Sequence, residues 1–213
     1  MYLRISNLTK KYGEKEVLSG YNLEAATGVC RISGPSGSGK TTLLRILLGL
    51  EDGDSGSIMG YRDGKAAAEA EAAGGDDLRA GSRGSGRGFF RDLGGLTIAA
   101  VFQEDRLLEH LDALGNLRFA LGRSQDAEPL RSQAAATLRS LGLDPDDRKP
   151  AREYSGGMKR RLALARALLS GADILALDEP LTGLDEANIA AATELIEAYA
   201  KDHIVLLVSH IGA

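Results

Sequence analysis

Apolar and polar residues alternate where the chain begins. In MYLRISNL, Leu3, Ile5 and Leu8 stand against Tyr2, Arg4 and Ser6. That alternation predicts a half-buried strand, with a turn following at Lys11–Glu14. The pair Val17–Leu18 precedes Gly20, Tyr21 to Glu24 suits another edge strand, and Gly28 opens a run V-C-R-I-S that ends at Gly34. The period then changes. In KTTLLRILLGL, Leu43, Leu44, Ile46, Leu47 and Leu50 recur at helical spacing, until Gly49 and the polar run Glu51 to Gly56 stop the helix.

Residues 63–95 carry little that packs a core. The stretch is rich in Ala, Gly and charge, and so reads as a low-complexity insertion or solvated linker. Ala66–Ala73 has the propensity for a short helix, and GSRGSGRG is basic enough to touch phosphate.

From Leu96 the pattern becomes regular again. TIAAVFQ suits a strand, residues 107–123 and about 127–141 suit two helices, and Met158 to Leu169 (MKRRLALARALL) a third, after Gly156–Gly157. ADILALDE and HIVLLVSH are nearly unbroken apolar runs, separated by an alanine-rich helix from Glu186 to Lys201. Unbroken runs between helices predict a parallel sheet covered on both faces, hence an α/β fold. Arg160, Arg161 and Arg166 read as a solvated or partner-facing side of their helix.

Length and composition narrow the class. A chain of 213 residues suits a single domain. The net charge of −4 argues against a general nucleic-acid grip, and one cysteine, Cys30, argues against a disulfide scaffold. No run approaches eighteen apolar residues and the opening lacks a signal-like stretch, so a cytoplasmic location is expected.

The chemistry begins at Gly34-Pro35-Ser36-Gly37-Ser38-Gly39-Lys40-Thr41, a complete phosphate-loop pattern between a predicted strand and helix. Its glycines let the backbone curl and aim N–H groups at phosphate, and the new helix adds its positive end. Lys40 is placed to reach the β- and γ-phosphates and the Thr41 hydroxyl to ligate Mg²⁺. Asp178 ends the apolar run ILAL, so its carboxylate is expected at the sheet edge near that loop, acting on Mg²⁺. Glu179 next to it suits an attacking water, although two adjacent acids also suit a solvated strand end.

These residues, with others in a fixed order, resemble the nucleotide-binding subunit of an ABC transporter over nearly everything outside residues 63–95. Tyr12 in K-Y-G resembles the aromatic residue that stacks on adenine. Gln103 in V-F-Q resembles the glutamine that senses Mg²⁺ and the γ-phosphate. Tyr154-Ser155-Gly156-Gly157-Met158 resembles the signature motif, with Tyr for the usual Leu and Met for the usual Gln. Gly183-Leu184-Asp185 resembles the loop that communicates across the dimer, and His210 the switch histidine. Without that order, Tyr12, Gln103 and His210 would read as ordinary packing or surface residues.

The resemblance implies a P-loop ATPase of ABC type: a mainly parallel sheet, an N-terminal antiparallel β-subdomain with the phosphate loop (1–62), a helical subdomain (104–168), and core strands and helix (169–213). It implies ATP and Mg²⁺, with Glu179, His210, Lys40 and Gln103 catalytic and Thr41, Gln103 and Asp178 around the metal. Nucleotide contacts would come from Tyr12, the loop Gly34 to Thr42 (Thr42 included), and Ser155, Gly156 and Gly157 acting in trans. Implied partners are permease subunits, a second copy or homologous ATPase subunit, and an external solute-binding protein in the importer case, with no nucleic acid. The place is the cytoplasmic side of the membrane. The segment VFQEDRLLEHLDALGNL resembles importers of nitrate, sulfonate or taurine type; an exporter or lipid-system subunit, or an ATPase of translation or DNA repair, is the alternative. Family members usually continue into a further helix after the switch histidine.

Overall fold

The computed structural model describes residues 1–63, 88–121 and 128–209. In β1 (Tyr2–Tyr12), Leu3, Ile5 and Leu8 are all buried, although the step from five to eight breaks the period of two. Asn7, at φ 49°, and a slip in pairing between Ile5 and Leu8 explain it. The bulge returns Leu8 to the inner face. Antiparallel to β1 lies β2 (Lys15–Ala26), one strand where two pieces were expected, with Gly20 at φ 58° between them.

β3 (Gly28–Ser33) enters a second sheet and leads through the glycine loop into α1 (Lys40–Leu47). The chain returns to the first sheet as β4 (Ser55–Tyr61), antiparallel to β1, with β5 (Phe89–Asp92) parallel to it, giving the order β2-β1-β4-β5. β5 corrects the C-terminal bound of the expected 63–95 insertion: Phe89 and Leu93 pack on the core, and Arg91 Nε donates to the Leu47 carbonyl at 2.9 Å. The expected Ala66–Ala73 helix and the basic stretch 81–87 lie outside the described residues.

β6 (Ile98–Val101), β7 (Ile174–Asp178) and β8 (Ile204–Ser209) complete the second sheet, wholly parallel, in the order β3-β8-β7-β6. The expected helix at 107–123 begins later, as α2 (Ala113–Leu121). Asp112 Oδ1 accepts from Gly115 N–H at 2.7 Å and starts it. Asn116, buried, accepts from Leu108 N–H and donates to the carbonyls of Leu108, Leu111 and Asp112, so 107–111 is a loop folded on the helix. α3 (Glu128–Ser140), α4 (Gly156–Leu169) and α5 (Glu186–Ala200) follow close to expectation.

Alternation inside the parallel sheet divides the core. Ile174, Ala176, Ile204, Leu206 and Val208 pack with α1 and the first sheet, whereas Leu175, Leu177, Val205 and Leu207 pack with α2, α4 and α5. Both faces are covered, which is why β7 and β8 read as unbroken apolar runs. Each fully buried Leu or Ile contributes about 1.5–3 kcal/mol. Among the described residues no helix is long and apolar enough to cross a membrane.

Candidate functional site

Register brings the chemistry together. Ser33 pairs with Ser209, Asp178 with Val208 and Val101 with Leu177, so β3, β7 and β6 end at the same edge. The loops that follow them carry the phosphate loop, Glu179 and Gln103. A crevice at the carboxyl ends of parallel strands is where α/β sheets bind ligands. Ser209 is the last described residue of β8; the switch-histidine candidate, His210, lies outside the described residues.

The phosphate loop needs its glycines sterically. Gly39, before α1, sits at φ 87°, and a Cβ there would meet the Val17 carbonyl at 2.7 Å and a Leu18 methyl at 2.9 Å. A Cβ on Gly34 would meet Ser38 Oγ at 2.7 Å. No side chain caps α1, whose first-turn N–H groups face the loop. Lys40 is buried and donates from Nζ to the carbonyls of Gly34 (2.7 Å) and Pro35 (2.9 Å).

Thr41 Oγ1 donates to Asp178 Oδ2 at 2.8 Å, tying α1 to the end of β7. Asp178 is 3% exposed. Burial, first, and then neighbouring Glu179 push its carboxyl above the ordinary carboxylate range, against the opposing effects of the Thr41 bond, Lys40 and Arg160. A carboxyl held more protonated in the folded than in the unfolded chain costs stability once ionised, and that cost grows as pH rises from the ordinary value through the raised one. Asp178→Asn, which keeps an acceptor for Thr41, is therefore expected to raise the nucleotide-free melting temperature at neutral pH. A rise of roughly 2–4 °C corresponds to about 1 kcal/mol in a chain of this size. Thermal melts of both proteins across pH check it; a lower melting point for the variant at pH 7 contradicts it.

Glu179, half-buried, adopts φ 51°, an uncommon conformation for a residue with a side chain. Its N–H donates to the Val208 carbonyl at 3.1 Å, and Thr182 Oγ1 approaches Oε2 at 3.4 Å. A crevice of about 370 Å³ is lined by Tyr12, Lys15 and Val17, by Ser36, Gly37 and Gly39 to Thr42, and by Gln103, Asp178 and Glu179. Tyr12 is 46% exposed at its rim; the hydroxyl donates to the Glu51 carboxylate, with Lys10 Nζ 5.4 Å from the ring centroid.

The structure does not bring Ser155, Gly156 or Gly157 into that crevice. They head α4, where Ser155 Oγ accepts from Met158 N–H at 3.2 Å. Gly156 borders open space, and a Cβ added at Gly157 would make ordinary van der Waals contact with the Gly183 carbonyl at 3.5 Å and with Leu184. The Gly183–Asp185 turn thus lies beside the head of α4, and Asp185 caps α5 by accepting from Asn188 N–H at 2.9 Å.

The arginines of α4, expected on a solvated or partner-facing side, are engaged by the chain's own backbone. Arg160, 8% exposed, donates to the carbonyls of Phe102 and Gln103, each at 2.7 Å, and pairs with Asp105 at 3.4 Å. Arg166 donates to the carbonyls of Arg106 (2.8 Å) and Asp105 (3.2 Å). Arg161 donates to the Leu141 and Gly142 carbonyls and to Asn188 Oδ1. A signal existed: Arg160 lies one turn before Leu164, in line with Ala163 and Ala167, on the buried stripe of its helix.

The donor set also bears on a metal. Among the described residues no group of three or more His, Cys, Asp or Glu is placed to hold one. A hydroxyl and a carboxylate oxygen 2.8 Å apart suit a hard cation that takes its other ligands from water and phosphate.

Comparison with known proteins identifies the family. Residues 18–182 match the ABC transporter family. The chain is 32% identical to the lantibiotic transport ATP-binding protein SrtF of Streptococcus pyogenes, over 97% of this chain and 79% of that one. It is 40% identical to the aliphatic sulfonates import ATP-binding protein SsuB of Ralstonia nicotianae, over 92% of this chain and 58% of that one. With the Fe(3+) ions import ATP-binding protein FbpC of Mesorhizobium japonicum it shares 37% identity, spanning 51% of that relative. A solved ATP-binding subunit of an ABC transporter superposes with TM-score 0.73 at 24% identity, over 99% of this chain and 80% of that one. The chain belongs to the ABC transporter family. It is an ATP-binding subunit with ABC-type ATPase activity.

Proposed function

We propose that two copies of this chain, or one copy and a homologous partner, close on two ATP molecules and drive a permease that imports a small solute. The supporting observation is the division of the site. The crevice gathers Tyr12, Lys40, Thr41, Gln103, Asp178 and Glu179, while Ser155, Gly156 and Gly157 lie outside it, at the head of α4. Each copy lends that end to the other's nucleotide.

In this reading Tyr12 stacks on the adenine, and the loop from Gly34 to Thr42 wraps the phosphates. Lys40 moves from its carbonyls onto the β- and γ-phosphate oxygens. Thr41, Asp178 and Gln103 would hold Mg²⁺, which would supply neutralisation of phosphate charge. Glu179 orients the attacking water in line, and His210 stabilises charge developing on the γ-phosphoryl group. The subunit works on the cytoplasmic face of the membrane, and its closure moves the permease.

The sulfonate and iron importers among the relatives favour import of a small solute, and a sulfonate is the first to try. Purification with the membrane permease, followed by ATPase assay with and without each solute, tests this. Stimulation several-fold by one solute is expected. Rates identical with every solute, or failure of any permease to co-purify, count against it. A lantibiotic transport subunit also stands among the relatives, at 32% identity.

A further inference from the structure

Two guanidinium groups of α4 bind the backbone of the loop that leaves β6. Arg160 takes the carbonyls of residues 102 and 103, and Arg166 those of 105 and 106. Strand pairing ends at Val101, so this loop draws its placement from the helix rather than from the sheet. Arg160 is the buried member of the pair, and Asp105 beside it balances its charge. Its planar fork fits two consecutive carbonyls, a geometry that an amide or an ammonium group does not reproduce. The same helix is capped by Ser155, five residues earlier.

We propose that Arg160 is a positioning residue that makes Gln103 and the Ser155–Gly157 helix end move as one unit, and thereby couples the two ATP sites of the dimer. Gln103 faces the nucleotide in its own subunit, and Ser155 faces the nucleotide held by the other. A rigid link between them means that filling one site sets the presentation of the helix end to the second. This inference rests on the two-copy reading above, and adds Arg160 as the carrier of the cooperativity.

The test compares the full-length wild-type chain with Arg160→Lys and Arg160→Met, with Lys40→Ala as the control for nucleotide binding. Arg160→Lys keeps a buried cation beside Asp105, so it separates loss of the fork from loss of the fold; melting curves report the latter. Expected for both variants are a fluorescent-ATP dissociation constant within about twofold of wild type and a turnover reduced about tenfold. The Hill coefficient for ATP should fall from above one to one. Amides 103–107 should exchange hydrogen faster, with those of residues 34–41 unchanged. A Hill coefficient and loop exchange in Arg160→Lys equal to wild type overturn the proposal, as does a wild-type coefficient of one. A wild-type chain that binds no nucleotide overturns the ATP-site reading instead.

Discussion

Glu179→Gln is expected to leave ATP binding intact and to lower steady-state hydrolysis by about 10²–10⁴-fold, the contribution typical of a general base. Gln keeps the shape and the approach of Thr182 but has no carboxylate to take a proton from water. The bond from the residue 179 N–H to the Val208 carbonyl does not involve the side chain, and Gln meets the same φ of 51° as Glu. The substitution therefore removes chemistry rather than geometry. Turnover measured beside equilibrium binding of a fluorescent ATP analogue checks it, and hydrolysis at the wild-type rate removes Glu179 from the role.

Lys40→Ala acts one step earlier. A charge-assisted hydrogen bond contributes about 1.5–3 kcal/mol, so the ATP dissociation constant should rise about 10–100-fold. In the structure Lys40 Nζ is engaged with the Gly34 and Pro35 carbonyls, which lose that donor in the variant. On the assignment proposed above, ATP binding by wild type exchanges those two bonds for bonds to phosphate, and binding by the variant has neither. Titration of both proteins under one salt condition decides it, and an unaltered dissociation constant contradicts the assignment.

Much of this site was legible because its chemistry is local in sequence. The phosphate loop and the Asp178–Glu179 pair sit directly after apolar strands, and their neighbours predict both the element and the edge at which they emerge. Elements set by distant partners were harder to read. β4 has only Ile58 and Gly60 buried, and pairing to β1 rather than its own pattern makes it a strand. The start of α2 is fixed by Asp112 and Asn116 satisfying a loop, a hydrogen-bonding matter that leucine spacing does not encode. A basic run suggests a solvated or partner-facing side for Arg160, whereas the stripe of Ala163, Leu164 and Ala167 puts it inside.

Neighbours in sequence, Arg160 and Arg161 reach apart in space: one grips the Gln103 loop, the other the end of α3 and Asn188 in α5. A chimera that takes its helical layer from a relative would therefore inherit guanidinium anchors shaped for foreign backbones. Swap boundaries drawn between the motifs cut through these anchors, whereas a transplant extending from the β6 exit to the first turn of α5 carries both ends of each.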